Sequence, residues 1–290
     1  MHLSLTKMAK AILSTFGRLK SIPHDDPDLT PANWCAAQPC IKIQIASKEM
    51  IVSQPTTSTF FVYLLGVLTI GVGLYFFQIQ DGEISRLWWG ISLLLWGVGA
   101  LLAGTSFQAF GYEIKCAGRR FCSWTSWWEV IYLMFQQVSM NAMLVALAHS
   151  CTSGTFKMLL LAYALVSSVV YVILIFVGGM VPIKSLITFE VMVWFSTPVF
   201  FFFLFLNAWR FHMFGDPMDL VLLGAWILLL CTMMAYWIYD KQAITKRLWE
   251  KGIWFSENDV LHICLIFWMI YIATVVADRV KDYTAPPLPV

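Results

Sequence analysis

The sequence has little charge for its length. Only 12% of its 290 residues are Asp, Glu, Lys or Arg, whereas 59% are hydrophobic. Soluble globular domains carry about 25% charged residues. Basic runs with interleaved aromatic residues are also missing, so nucleic acid is not expected as a partner. The composition therefore predicts an integral membrane protein that lies in the lipid bilayer.

Several signatures of enzymes and cofactor proteins are missing too. The chain contains no Gly-x-Ser-x-Gly elbow, no phosphate-binding glycine-rich loop and no nucleotide fingerprint. Its hydrophobic runs carry no lysine for a retinal Schiff base except Lys157 at an edge, and no series of arginines typical of a voltage sensor. These absences argue against several common classes of membrane protein.

The seven cysteines are too few and too scattered to predict a disulfide scaffold. Cys35 and Cys40 precede the first hydrophobic run, and Cys116 and Cys122 lie between the second and the third, so all four fall on one side of the membrane. A four-thiolate zinc site is one interpretation, although such sites usually have two residues between paired cysteines. Reduced, free thiols are the favoured interpretation for a cytoplasmic side.

Seven hydrophobic stretches of about 20 residues or more are each long enough to cross a hydrocarbon core of about 30 Å. The sequence therefore predicts an all-α, polytopic bundle of seven transmembrane helices. We place them near residues 59–79, 86–110, 127–149, 157–180, 186–207, 218–239 and 259–277. The second stretch carries glycine at heptad spacing, at Gly90, Gly97, Gly104 and Gly111. Small residues on one stripe predict the close approach of another helix.

The region before the first span is polar and basic. In residues 3–20, apolar side chains recur at the three- and four-residue spacing of an amphipathic helix, which predicts a helix that lies in the headgroup region. A mitochondrial-type presequence with similar chemistry is the alternative. Residues 21–57 are expected to form a loop with one short strand at Ile41–Ile45. The predicted organisation is a tail over 1–57, a transmembrane domain over 58–278 and a short C-terminal tail over 279–290.

The distribution of lysine and arginine predicts the orientation. One side of the predicted bundle holds 14 of the 19 basic residues, which lie in the N-terminal tail, in the loop near Arg119 and Arg120, at Lys184 and in the loop 240–258. The other side holds five: Arg86, Lys157, Arg210, Arg279 and Lys281. The positive-inside rule then places the N-terminus in the cytoplasm and the C-terminus on the opposite side.

The stretch Trp254–Tyr271 joins a polar segment directly to the last span. Asn258 and Asp259 precede His262 by four and three residues, so the three side chains share one helix face. An ionisable group just inside a span is a candidate functional site. Ser256 and Asp259 also have the spacing of a helix-capping box, which is a structural alternative. Both interpretations are compatible, because a cap can also face a cavity.

Other polar side chains fall at the same cytoplasmic level of the bundle. They are Ser106, Gln108, Tyr112 and Glu113 at the end of span two, Glu129 at the start of span three, Glu190 in span five, and Tyr239 and Asp240 at the end of span six. Carboxylates facing lipid are costly, so Glu129 and Glu190 should face the bundle interior. Together with His262 these groups could bind a metal, relay protons or hydrolyse a bond. A hydrogen-bonded network that fixes helix packing is the alternative.

Polar residues also lie in the middle of span three. Gln136, Gln137 and Asn141 fall at membrane depth. Such groups are as well suited to interhelical hydrogen bonds as to a path for a substrate.

The seven helices, the cytoplasmic N-terminus and the polar ends of helices two, three and seven resemble the CREST superfamily. That group holds the alkaline ceramidases and the progestin and adipoQ receptors, which are zinc-dependent membrane amide hydrolases or their relatives. In the family pattern, Ser106 matches the serine of helix two, Glu129 the acid of helix three and His262 the second histidine of helix seven. The two other histidine positions fall on Phe110 and Asn258.

The resemblance implies a hydrolase of a lipid amide or ester that uses zinc. Its candidate residues are Ser106, Glu129 and Asp259 for catalysis, His262, Glu113 and Asp259 as metal ligands, and Gln108, Tyr112, Glu190 and Asn258 for substrate binding. Because two family ligands are replaced, a rebuilt site, a lost metal and a likeness limited to seven helices all stay open. The alternatives are a non-enzymatic transporter or receptor for a small solute or lipid, and a structural membrane protein.

Overall fold

A computed structural model describes residues 17–181 and 183–284 of the chain. Within this part, seven helices are long and apolar enough to cross a membrane. They are α1 (Ser58–Gln78), α2 (Ile84–Ala103), α3 (Trp127–Cys151), α4 (Gly154–Met180), α5 (Phe189–Phe214), α6 (Pro217–Lys241) and α7 (Glu257–Tyr271). The predicted all-α bundle is confirmed, with helix ends within a few residues of most predicted ones, and the protein is an integral, multi-pass membrane protein.

Shorter elements extend and connect the spans. A π-helical turn, Gly104–Ala109, continues α2, and a second one, Ile272–Val276, continues α7. Short helices lie at Trp34–Ala37, Gly111–Lys115, Lys184–Leu186 and Ile244–Trp249. We call the side of the bundle where α1, α3, α5 and α7 begin the N-face, and the opposite side the C-face.

A β-hairpin precedes the first span. Strand β1 (Cys40–Ile45) pairs antiparallel with β2 (Lys48–Ser53), and Cys40 lies opposite Ser53. The predicted strand at Ile41–Ile45 is thus confirmed, whereas β2 was not predicted. The amphipathic helix predicted over residues 3–20 falls almost wholly outside the described residues.

The core between the helices is built around aromatic rings. Trp226 of α6 stacks on Phe203 of α5 with ring centroids 3.8 Å apart and on Trp89 of α2 at 6.0 Å. Trp268 of α7 is 1% exposed and donates its indole N–H to the carbonyl of Ala225 at 2.8 Å. This bond satisfies the buried indole of Trp268 and connects α7 to α6.

Gly90, Gly97 and Gly104 of the glycine stripe lie against α1, which confirms the predicted close approach of another helix at three of the four positions. A Cβ atom added at Gly97 would lie 2.8 Å from the carbonyl oxygen of Gly66, and one at Gly90 would lie 3.0 Å from that of Gly73. Any side chain at these positions would therefore meet backbone, which cannot move aside. Close backbone approach is what small residues permit between membrane helices.

A buried ion pair connects three helices near the C-face. Arg210 of α5 donates its Nε–H toward both carboxylate oxygens of Asp219 in α6, each 3.0 Å away. Its Nη1 donates to the carbonyl of Cys151 at the end of α3, at 3.0 Å. The arginine is 5% and the aspartate 0% exposed, so each charge depends on the other for its stability in the bundle.

The C-terminal segment caps α2. The carboxylate of Asp282 accepts the backbone N–H of Ile84 at 3.0 Å and that of Ser85 at 2.7 Å. Burial alone acts to raise the pKa of Asp282, but the hydrogen bonds from Ser85 and Ile84 outweigh it and lower the pKa below its usual value. The segment thus satisfies two amide groups at a helix start, where an anion also suits the helix dipole.

Gly97→Leu should destabilise the protein by about 1–3 kcal/mol, because the new side chain would push α1 away from α2. Val98→Leu is the matched control, since Val98 is the neighbouring residue and is 37% exposed. Thermal unfolding in detergent compares the two variants with the parent. If both melt alike, the contact between the two backbones contributes no stability.

Candidate functional site

Glu129 in the first turn of α3 is the centre of a buried polar network. Its Oε1 accepts hydrogen bonds from Ser106 Oγ and Lys115 Nζ, each at 2.8 Å, and its Oε2 accepts one from Thr125 Oγ1 at 3.0 Å. Ser106 lies in the π-helical turn after α2, and its hydroxyl also contacts that of Ser126 at 2.7 Å. Both carboxylate oxygens therefore accept hydrogen bonds from the segment that joins α2 to α3.

Asp259 in the first turn of α7 forms a separate network. Its Oδ2 accepts the backbone N–H of Ser256, and the Ser256 side chain accepts the backbone N–H of Asp259, so the predicted capping box is present. Its Oδ1 accepts from Ser58 Oγ of α1 at 2.9 Å. All three residues are at most 2% exposed. The network caps α7 and fastens its start to α1.

Glu113 belongs to a third network. It accepts the backbone N–H of Ile51 at 3.2 Å and forms an ion pair with Lys48 at 3.1 Å. Both partners lie on strand β2, so this carboxylate holds the hairpin to the helix Gly111–Lys115.

The three carboxylates thus bind different partners on different elements. Among the described residues, no group of three or more His, Cys, Asp or Glu side chains is arranged to hold a metal ion. A structural or catalytic zinc needs at least three such ligands. As arranged, the described side chains do not present such a set of ligands. Zinc binding stays a prediction, which metal analysis of the purified protein tests.

The predicted substrate-binding residues are also dispersed. Glu190 is exposed in the first turn of α5, rather than directed into the bundle as its charge predicted. Tyr112 packs edge-on against Trp34, with ring centroids 6.2 Å apart. Gln108 is 5% exposed, and Asn258 is half-buried at the start of α7. These four residues do not share one network of hydrogen bonds with the carboxylates.

His262 lies apart from these networks, one turn beyond Asp259. It is 8% exposed, and its Nδ1 has no hydrogen-bond partner among the described residues. The side chain lines a cavity of about 440 Å³ in the N-face half of the bundle. The polar members of the cavity wall are Tyr132, Gln136, Ser196, Thr197 and His262, and the others are aliphatic or aromatic.

The glutamines of α3 divide between packing and the cavity. Gln137 accepts a hydrogen bond from Ser196 of α5 at 2.6 Å, and Asn141 donates one to Ser168 of α4 at 2.9 Å. Gln136 lines the cavity instead, is 8% exposed, and leaves its Oε1 without a partner among the described residues. Gln137 Nε2 and Asn141 Oδ1 also lack a partner there, but neither residue lines the cavity. The sequence placed all three at membrane depth but did not distinguish Gln136.

A larger cavity of about 760 Å³ lies near the C-face, along α5. Its buried cation, Arg210, already binds Asp219 and the carbonyl of Cys151. In the part of the chain that the structure describes, its wall contains no buried side-chain atom that lacks a hydrogen-bond partner. Because every buried polar group there is satisfied, this space does not point to a ligand as the N-face cavity does.

The cysteines of the N-face differ from the prediction. Cys116 and Cys122 form a disulfide, and each is 0% exposed, so the expectation of free thiols is wrong for this pair. Cys35 and Cys40 are free. Burial, with a further contribution from the neighbouring Cys35 thiol, raises the pKa of Cys40 to about 12. A thiol that stays protonated is a poor metal ligand and a poor nucleophile.

Comparisons with protein-family models, with curated proteins and with solved structures find no match to this chain.

Lys115→Met should destabilise the protein by about 3–5 kcal/mol, because it leaves the buried Glu129 charge without its cation. Replacing both members, as Lys115→Met with Glu129→Gln, should recover part of that loss. Lys246→Met, at an exposed lysine of the N-face, is the control and should have little effect. Unfolding in detergent measures all three. An unchanged Lys115→Met variant would show that the pair contributes no net stability.

Proposed function

We propose that the chain is a membrane protein that binds an amphiphilic small molecule, such as a lipid, in the N-face cavity. The observation that carries this proposal is the pair of buried, unpartnered polar atoms in a mostly apolar cavity, His262 Nδ1 and Gln136 Oε1. Thirteen other buried side-chain atoms of the described residues also lack a partner, but none of them lines this cavity. Leaving a buried donor or acceptor unsatisfied costs about 1–3 kcal/mol. Buried polar side chains are otherwise hydrogen-bonded in most proteins, so an exception calls for an explanation.

The size and the lining of the cavity support a small-molecule ligand. A volume of about 440 Å³ falls within the range of about 300–1,000 Å³ that is usual for ligand sites. Such sites are mostly apolar, with few polar groups that fix the orientation of the ligand. An apolar chain would fill the space beside Trp96, Met140 and Leu265, which line the wall.

The two unpartnered atoms also indicate what the ligand must offer. The amide oxygen of Gln136 can only accept, so it needs a donor on the ligand. The Nδ1 atom of His262 can donate or accept according to the tautomer. A ligand hydroxyl or amide supplies both functions. This proposal covers a receptor, a carrier or the binding step of a lipid hydrolase, and it does not require a metal.

The binding test uses tritiated 1-dodecanol and protein in nanodiscs of zwitterionic lipid. Ala100→Phe should abolish specific binding, because Ala100 lines the cavity and the larger side chain fills it. The matched control is Leu165→Phe on α4, whose side chain is 67% exposed and outside the cavity. His262→Leu should weaken binding about fivefold, since one hydrogen bond contributes about 1 kcal/mol.

Two outcomes would contradict the proposal. One is the absence of saturable dodecanol binding above empty nanodiscs, and the other is equal binding by the Ala100→Phe variant and the parent. Either would leave the polar cavity atoms as features of packing alone.

We also propose that the N-face is cytoplasmic, on the strength of the 14 basic residues assigned to that side out of 19 in the chain. The Cys116–Cys122 disulfide argues the other way, because disulfides persist mainly in oxidising compartments. Both cysteines are completely buried, however, and a reductant has no direct access to them. Burial thus reconciles the bond with a cytoplasmic location.

Protease protection of terminal tags in intact cells tests the orientation. We expect a tag before Met1 to be protected and one after Val290 to be digested. The reverse pattern would place the disulfide outside and invert the assignment. Tags on the same side would contradict seven spans, since an odd number separates the termini.

A further inference from the structure

The wall of the N-face cavity offers hydrogen bonds without a permanent charge. Its polar members are Tyr132, Gln136, Ser196, Thr197 and His262, and the described residues that line it include no Asp, Glu, Lys or Arg. A charged ligand group would lack a counter-ion there, and burying an unpaired charge costs far more than burying a hydroxyl or an amide. The wall therefore suits an uncharged ligand.

The polar side chains lie inside the bundle rather than at its rim. His262 follows the first residue of α7 by five positions, which corresponds to about 7.5 Å along the helix axis. Ser196 follows the start of α5 by seven positions, or about 10.5 Å, and Gln136 follows the start of α3 by nine, or about 13.5 Å. The three helices thus present their hydrogen-bonding groups at a similar depth.

The cavity becomes apolar beyond this level. Along α5 it continues from Ser196 past Phe200 to Leu204, which lies about 12 Å further from the N-face. On α3 the wall continues with Met140, one turn beyond Gln136. An alkyl chain whose polar end lies at the level of Gln136 would therefore have apolar contacts on its way toward the C-face.

The two unpartnered atoms distinguish between head groups. Gln136 Oε1 can only accept a hydrogen bond, whereas His262 Nδ1 can accept or donate one. A Cβ atom added at Gly99 of α2 would lie 3.4 Å from Gln136 Oε1, so this oxygen faces a position that has no side chain to bond it. An ammonium group has only donors and a carboxylate only acceptors. A single hydroxyl group can satisfy both atoms, by donating to Gln136 and accepting from His262.

The open side of the cavity is apolar as well. Val193 and Phe201 of α5 and Leu230 of α6 line the cavity, and all three are exposed. A ligand dissolved in the bilayer would thus enter past apolar side chains. Because a charged head group is costly within the hydrocarbon region, this route also favours an uncharged ligand.

We propose that the cavity binds uncharged long-chain alcohols, with the hydroxyl group between His262 and Gln136 and the chain extending toward Leu204. The proposal rests on the proposed function, since it assigns a head group and an orientation to the amphiphile bound there. Charged single-chain lipids of the same length would be excluded, although their chains fit the same apolar space.

The first test compares head groups on one chain length in the same zwitterionic nanodiscs. Dodecylamine, dodecanesulfonate and dodecane compete against tritiated 1-dodecanol, with affinities expressed per mole fraction in the bilayer and Ala100→Phe as the blank. We expect both charged ligands to bind at least about tenfold more weakly than dodecanol. Dodecane should bind about thirtyfold more weakly, because it forms neither of the two hydrogen bonds.

The second test removes both hydrogen-bonding groups. The double variant His262→Leu with Gln136→Leu should bind dodecanol and dodecane with similar affinity. His149→Leu is the matched control, since His149 also has an unpartnered Nδ1 but does not line the cavity, and it should keep the preference for the alcohol.

The third test uses the parent protein and determines the orientation of the chain. Dodecanol with a photoreactive diazirine at the end of its chain should label Met140 or Leu204. A diazirine beside the hydroxyl group should instead label Tyr132, Ser196 or Thr197. Peptide mass spectrometry identifies the labelled residues. Labelling of Phe189, at the N-face end of the cavity, by the terminal diazirine would overturn the orientation.

Failure of the two proposals gives different results. If dodecanol binds in the cavity but a charged ligand or dodecane binds as tightly, the alcohol assignment is overturned and the amphiphile site remains. The same holds if the double variant keeps the preference for the alcohol. If none of the ligands binds specifically, the proposed function itself has failed.

Discussion

The high cost of leaving a charged side chain without a partner inside a bilayer is the constraint on which this structure depends. Arg210 and Asp219 satisfy it as an ion pair that also reaches the carbonyl of Cys151. Glu129 satisfies it through Lys115 and hydroxyl groups. Fifteen buried side-chain atoms of the described residues lack a partner, and most of them lie outside the two cavities. His262 and Gln136 are informative because theirs are the two such atoms in the wall of the N-face cavity.

The elements that depend on local sequence were predictable. Spans follow from the length of apolar runs, and the capping box at Ser256 and Asp259 follows from residues three apart. The contact between Gly97 and Gly66 was half predictable, since heptad spacing defines the face of α2 but does not name the partner helix. Strand β2 escaped prediction because its residues, Lys48–Ser53, lack a clear alternation and gain their strand partner only through the hairpin.

The site was harder to predict because hydropathy gives the depth of a residue but not its direction around the bundle axis. Glu113, Glu129 and Asp259 do lie toward the N-face, as their positions in the sequence imply. They face three different neighbours, however, namely the hairpin, the π-helical turn after α2 and the start of α1. A cluster predicted from sequence assumes that these side chains point toward one another. Their directions depend on the tertiary packing of the helices. The zinc site that the CREST resemblance implies depends on that convergence, so it stays a prediction.

The acids at the span ends show why a position in the sequence is not enough to identify a site. The sequence predicted Glu190 and Asp240 at the cytoplasmic level of the bundle, and both side chains are exposed in the structure. Charged side chains are mostly exposed in proteins, so these two positions do not by themselves indicate a function. His262 and Gln136 differ from them, because each is buried, lines the N-face cavity and keeps one unpartnered atom. Burial together with a place in the cavity wall, rather than charge, therefore favours a ligand site at these two residues.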